Sequence, residues 1–138
     1  MQDKVLIVDD DMSIRKLMSK VITSNDLIPI AVNNGEEAIK LLKASTFQLV
    51  LLDINLPGID GFQVLKQIRY LGQSTPVIII SGRTEDYDAL YGLDLGADNY
   101  IYKPFNPVVL GAKIKALIRR NKQSQNKLVF VQTEPFLF

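Results

Sequence analysis

Cysteine and histidine are both absent from the 138 residues of this chain. Without cysteine there is no disulfide framework, no thiolate metal site and no thiol nucleophile. Without histidine every mechanism that needs an imidazole is removed, including Ser-His-Asp chemistry and His-ligated zinc, so carboxylates, hydroxyls and lysines are left to do any chemistry. Long apolar runs are missing as well: none approaches the roughly 18 residues that a bilayer-spanning helix needs. Met1-Gln2-Asp3-Lys4 leads straight into a short apolar run that ends in acids, which is not the pattern of a secretion signal. The expectation is a soluble, cytoplasmic protein without membrane association. There is no excess of one charge sign either: 16 Lys and Arg against 15 Asp and Glu leave +1, which argues against strong nonspecific nucleic-acid binding by the whole chain.

What is present suits one domain with a proper core. Leu49-Val50-Leu51-Leu52 is a continuous apolar run of the kind buried on both faces of a parallel sheet, and it stops at Asp53, with Pro57-Gly58 close behind. Asp53 therefore stands where a buried strand surfaces, the end at which open α/β sheets bind ligands. An aspartate beside Pro-Gly also serves as a plain turn residue, so position alone does not assign it a role.

The same design recurs along the chain. Lys4 to Val8 reads as a first strand, ending at Asp9, Asp10 and Asp11. Ser13 is a candidate N-cap for a helix whose apolar residues Ile14, Leu17, Met18, Val21 and Ile22 recur at helical spacing up to about Asn25. Ile28 to Val32 is a second strand. Asn34-Gly35 breaks it, and Glu36 to Lys43 returns to helix. Gly61 to Tyr70 is helical, with Phe62, Leu65 and Ile68 inward. Pro76 to Gly82 is a second continuous apolar strand that ends at Ser81. Glu85 to Leu95 is a weak helix containing Gly92, and Asn99 to Tyr102 is a short strand before Lys103-Pro104. Asn106-Pro107 starts the last helix, with Leu110, Ile114, Leu117 and Ile118 as its stripe. Five strands alternating with five helices, joined by crossovers of this length, predict right-handed βαβ units and a doubly wound α/β sandwich with helices on both faces.

The tail departs from that rhythm. Residues 1–121 read as the domain, and 122–138 as a linker with the possible start of a C-terminal effector domain. Asn121 to Lys127 is polar and amide-rich, Leu128 to Val131 reads as a strand, and Pro135 to Phe138 is apolar. Basic residues also cluster here, as Lys113, Lys115, Arg119, Arg120, Lys122 and Lys127, with no acid among them.

The polar residues at strand C-termini form a set: Asp9, Asp10 and Asp11, Asp53, Ser81, and Lys103. With the first strand central and the third and fourth beside it, they converge on one crevice. Carboxylates that close repel, so a divalent cation or the lysine must compensate them, and an oxygen-only donor set points to Mg²⁺.

Together these motifs resemble the receiver domain of two-component response regulators over residues 4 to about 121. They are Val8-Asp9-Asp10-Asp11, Leu52-Asp53-Ile54-Asn55-Leu56-Pro57-Gly58-Ile59-Asp60-Gly61, Ile80-Ser81-Gly82 and Gly96-Ala97-Asp98-Asn99-Tyr100-Ile101-Tyr102-Lys103-Pro104-Phe105. The resemblance implies a flavodoxin-like sheet of five parallel strands in the order 2-1-3-4-5. It implies that Asp53 accepts a phosphoryl group from a sensor histidine kinase or a phosphotransfer protein. Mg²⁺ would be held by Asp9, Asp10, the Asp53 carboxylate and the backbone carbonyl of Asn55. Ser81 and Lys103 would bind the phosphoryl oxygens, and Tyr100 would swing inward behind Ser81. Asp11, Asp60 and Asp98 are read as solvated or capping. A cis Lys103-Pro104 bond is also expected, and the missing histidine fits, because the donor brings it.

The resulting expectation is a phosphorylation-dependent switch rather than an enzyme, at most capable of Mg²⁺-dependent self-phosphorylation and self-dephosphorylation. Two alternatives stand beside it. A haloacid-dehalogenase-like phosphohydrolase would need an aspartate where Asn55 stands and a nucleophile on the first strand. A phosphorylation-independent receiver-like module usually loses an acid or the lysine, and none is lost here. Residues 89–120 resemble the subfamily with a winged-helix DNA-binding effector, implying a phosphorylation-promoted homodimer through a face containing Leu90, Tyr91, Asp98, Lys115 and Arg119, with DNA bound only by a C-terminal domain. Tyr91 and Val109 stand where that subfamily usually places a basic and an acidic partner.

Overall fold

The structure, a computed structural model, describes residues 3–133, and the side chains of residues 3–124. Strands and helices alternate as β1 (Lys4–Val8), α1 (Met12–Ser24), β2 (Ile28–Val32), α2 (Gly35–Ala44), β3 (Leu49–Leu52), α3 (Gly61–Tyr70), β4 (Val77–Ser81), α4 (Asp86–Asp94), β5 (Asn99–Tyr102) and α5 (Pro107–Thr133). The strands form one parallel sheet in the order β2-β1-β3-β4-β5, as the resemblance implies.

Because side chains alternate across a strand, each central strand feeds two cores. Leu6, Val8, Val50, Leu52, Val77 and Ile79 meet Ala38, Leu42, Val64, Leu65 and Ile68 of α2 and α3 on one face. Val5, Ile7, Leu49, Leu51, Ile78 and Ile80 meet Met18 and Ile22 of α1 and Leu110, Ile114 and Ile118 of α5 on the other. All four β3 residues are fully buried. At about 1.5–3 kcal/mol per large apolar side chain, these two layers hold the strand ends in place for the site. Among the described residues no helix is long and apolar enough to cross a membrane.

Helix starts follow local chemistry. The cap of α1 is Asp11 and not Ser13: its carboxylate accepts the Ser13 and Ile14 amides at 2.8 and 3.3 Å. An aspartate one step earlier reaches the free first-turn N–H groups, which leaves Ser13 inside the helix. Asn34 caps α2, accepting the Glu37 amide at 2.8 Å, and Asp60 with Gln63 forms a reciprocal capping box on α3. Asn106 accepts the Val108 and Val109 amides at the head of α5. In contrast, Glu85 before α4 makes no side-chain capping bond.

The tail reading is corrected. Residues 121–127 are helical rather than irregular and Leu128 to Val131 is not a strand, because α5 continues through Thr133. After Gly111 no glycine or proline interrupts the chain until Pro135, and lysine and glutamine are good helix formers. Polar composition alone therefore does not end a helix. Pro135 to Phe138 lies outside the described residues. The Lys103-Pro104 bond is cis, as expected.

Gly61 shows how the fold presses on the site. A Cβ there would run into the Asp53 carbonyl oxygen and would lie 2.7 Å from the Ile54 Cα, so only glycine lets α3 begin against the end of β3. Gly61→Ala should lower stability by about 1–3 kcal/mol, since the obstructing atoms are backbone and cannot swing aside. Urea unfolding followed by circular dichroism checks this; an unchanged midpoint contradicts it.

Candidate functional site

Four strands deliver their ends to one edge of the sheet. The Asp53 amide donates to the Val8 carbonyl at 2.9 Å and the Asp9 amide to the Val32 carbonyl at 3.2 Å, so both aspartates are fixed by the sheet's last rungs. The Lys103 amide donates to the Ser81 carbonyl at 2.8 Å, placing the lysine one step beyond β5. Its ammonium then reaches across the sheet, lying 2.9 Å from Asp9 Oδ2 and 3.2 Å from Asp53 Oδ2.

The aspartates differ in their settings. Asp9 is fully buried and Asp53 is 5% exposed, whereas Asp10 faces solvent. Asp9 Oδ1 accepts the Asp11 amide at 2.9 Å, and Asp53 Oδ1 accepts the Ile54 amide at 2.8 Å. Burial pushes the Asp53 carboxyl above its ordinary value, the Asp9 charge adds to this, and Lys103 opposes it. For Lys103, burial pulls downward, but the hydrogen bond to Asp9 and the charges of Asp53 and Asp9 outweigh it and leave the ammonium raised. The lysine therefore stays charged at neutral pH.

Carboxylate oxygens of Asp9, Asp10 and Asp53 lie within 4.8 Å of one another. An all-oxygen donor set, half open to water, fits a hard divalent cation that keeps several waters. Ser81 is fully buried at the end of β4, its Oγ accepting the Arg83 amide at 3.1 Å. Gly82 beside it has open space where a Cβ would be. Tyr100 is half-buried and donates its hydroxyl to the Arg83 carbonyl at 3.0 Å.

The structure thus brings together Asp9, Asp10, Asp53, Ser81 and Lys103, with Tyr100 one contact behind. Asp11 and Asp60 cap helices. Asp98 is exposed, as expected, and its carboxylate also accepts the Val77 amide at 2.8 Å and pairs with Arg69 at 3.3 Å, tying the start of β4 to α3. The other residues read as an association face, Leu90, Tyr91, Lys115 and Arg119, are exposed, and the Tyr91 ring also meets Phe62 of α3 edge-on with centroids 4.8 Å apart.

Sequence reasoning missed two residues. Arg15 of α1 donates to the Asp9 carbonyl at 2.9 Å, steadying the loop that carries the acids. Arg83 donates through Nε and Nη2 to Asn55 Oδ1 at 3.0 and 2.8 Å, and its Nη1 lies 3.6 Å from Asp88. The available signal was that Arg83 is the lone cation between Ser81 and Asp94, in a loop and helix otherwise acidic.

Comparison with known proteins agrees with this geometry. The family described as response regulator receiver domain matches residues 5–115. The alkaline phosphatase synthesis transcriptional regulatory protein PhoP of Bacillus subtilis is 37% identical over 122 residues, covering 88% of this chain and 51% of that protein. The CpxR homolog of Haemophilus influenzae, a transcriptional regulatory protein, is 39% identical over 133 residues, covering 96% of this chain and 58% of that one. The chain thus spans about half the length of the curated relatives it matches. Among solved structures, the beryllofluoride-activated N-terminal receiver domain of Klebsiella pneumoniae RstA superposes with a TM-score of 0.80 at 29% identity, covering 85% of this chain and 99% of that one.

The raised Asp53 carboxyl has a stability consequence. A carboxyl whose folded value lies above the ordinary 3.8 binds protons better folded than unfolded, so stability falls as pH rises through that window, and the cost is complete at neutral pH. Asp53→Asn should therefore raise the unfolding free energy at pH 7 by an amount on the order of 1 kcal/mol, read as a higher urea midpoint. The gain should vanish below the ordinary carboxylate range, where both states are protonated. A gain that grows on acidification would reverse the assignment.

Proposed function

This chain belongs to the response regulator receiver domain family, and from that membership we propose that it is a phosphoacceptor switch working through Asp53. The observation that carries the reading is the Lys103 ammonium held between the Asp9 and Asp53 carboxylates, with Asp10 beside them at the solvent edge.

In the proposed reaction a carboxylate oxygen of Asp53 displaces the imidazole nitrogen of a donor phosphohistidine from phosphorus. The P–O bond forms as the P–N bond breaks, and the donor keeps its nitrogen lone pair. Phosphoryl transfer needs positioning and positive charge on the equatorial oxygens more than covalent help. Lys103 supplies fixed positive charge, the Ile54 amide holds one Asp53 oxygen, and Ser81 stands ready to donate its hydroxyl to the phosphoryl group. Asp9, Asp10, Asp53 and the Asn55 carbonyl would hold Mg²⁺, which when bound offsets the clustered negative charge. Gly82 leaves the approach clear for a donor side chain.

The relatives are named as transcriptional regulators, and about half of each lies beyond the match. We extend the reading accordingly: residues 1–121 form the receiver, residues 122–138 lead toward an effector domain, DNA is bound only by that domain, and a sensor kinase or phosphotransfer protein in the cytoplasm is the donor. Phosphorylation promotes homodimerisation through α4, β5 and α5, where Leu90, Lys115 and Arg119 are exposed and basic charge gathers.

Incubation with Mg²⁺ and acetyl phosphate or phosphoramidate should add one phosphoryl group by intact mass. Asp53→Asn should take up none, and Asp10→Ala should lose the Mg²⁺ dependence. Full labelling of Asp53→Asn would refute the assignment.

Association gives a separate check by sedimentation. With Mg²⁺ and beryllofluoride the wild type should shift toward dimer at about 100 μM, the range of a weak switch bias of a few kcal/mol. Arg119→Glu should remain monomeric; equal dimerisation by both proteins would move the association face elsewhere.

A further inference from the structure

The segment from Ser81 to Asp94 carries Glu85, Asp86, Asp88 and Asp94 but a single cation, Arg83. Its guanidinium is shared. Two nitrogens donate to Asn55 Oδ1, two residues beyond Asp53, while the third lies 3.6 Å from Asp88 on α4. Asp88 is 7% exposed, and among the described residues Arg83 is the only cation within ion-pair distance of it. The guanidinium also lies 5.9 Å from the centroid of Phe62, the ring that meets Tyr91 of α4. The main chain of Arg83 is as well connected: its amide donates to Ser81 Oγ and its carbonyl accepts the Tyr100 hydroxyl.

Two anions would therefore compete for one fork. Asp88 is almost out of water and relies on one nitrogen at the long end of ion-pair range. A phosphoryl group on Asp53 brings up to two negative charges and three strong acceptors to the crevice that Asn55 borders. A planar guanidinium binds such a group better than it binds a single carboxylate oxygen at 3.6 Å.

We propose that Arg83 is the positioning residue that couples the acceptor site to α4: phosphorylation of Asp53 draws its guanidinium away from Asp88, and the unpaired Asp88 carboxylate opens the first turn of the helix. This rests on Asp53 being the acceptor. A nearly buried carboxylate stripped of its cation must reach water, and the element carrying it is the one least able to resist. Glu85 gives α4 no side-chain cap. The bonds to Ser81 and Tyr100 are made by the Arg83 main chain, so a shift of that loop, and not of the guanidinium alone, would loosen both.

The test is amide hydrogen exchange on the whole chain with Mg²⁺, with and without beryllofluoride, while ¹⁹F NMR reports whether fluoride is bound. In wild type, bound beryllofluoride should speed exchange at Ala89, Leu90 and Tyr91 by about tenfold. Arg83→Ala should exchange fast there already, with no further change on binding. Asp88→Asn, whose neutral amide does not need the cation, should stay slow in both states. Failure of wild type to bind beryllofluoride would overturn the acceptor site itself. Binding without faster exchange in wild type, or a wild-type response in Asp88→Asn, would overturn the coupling and leave the acceptor site standing; the Asp88→Asn arm decides if Arg83→Ala does not fold.

Discussion

Two carboxylates of like charge, Asp9 and Asp53, are held almost out of water at the ends of adjacent strands, with one ammonium bridging them. That arrangement is the constraint on which the rest depends. Each charge alone would be costly to bury, and the lysine compensates both only because it comes from the far side of the sheet at the right height. The pairing of β4 with β5 sets that height, since Ile80 stands opposite Ile101 and Ser81 opposite Tyr102, and Lys103 follows at once. The charge balance remains one positive against several negative. An incoming cation or an equatorial phosphoryl oxygen therefore meets a site already strained by repulsion and already supplied with a fixed donor.

The hydrophobic layers make that constraint sustainable. Central strands buried on both faces cannot shift register by one residue without exchanging their two cores, so the strand ends cannot drift. Gly61 adds a second stop by letting α3 start directly against the Asp53 carbonyl. Asp9 and Asp53 follow directly on central strands whose apolar residues are fully buried. The elements that face them from the other side, the β4–α4 loop and α4, are the least anchored, with an uncapped N-terminus and a buried glycine where the helix crosses Ile79. A rigid acceptor beside a loosely held helix is the physical basis for turning a local charge change into a change of surface.

Electrostatics links these two parts through a single side chain. Arg83 touches the β3–α3 loop, α4, Ser81 and Tyr100 at once, so the hydroxyl and the phenol assigned to the switch are joined through one residue's backbone. Asp98 shows the opposite outcome. Its Oδ2 is held inside the chain by Arg69 and the Val77 amide, so it stabilises the β4 entry while the side chain stays partly exposed.

By itself the sequence determined the elements and their order, because the signals are local. Continuous apolar runs at Leu49–Leu52 and Val77–Ile80, helical spacing in Gly61–Tyr70, and an acid, hydroxyl or lysine at the ends of four of the five strands are properties of neighbouring residues. Removal of histidine and cysteine narrowed the chemistry to oxygen ligands and a lysine in the same way. The folded chain decided what composition and periodicity leave open. Whether Asp11 or Ser13 caps α1 turned on which oxygen reaches the free amides, and α5 ran through a polar stretch because nothing stops a helix there but glycine or proline. The partners of Arg83 lie 28 residues away at Asn55 and on α4 at Asp88, and no periodicity encodes a meeting of that kind. Such contacts follow from where the sheet places the strand ends, so only the folded chain reveals them.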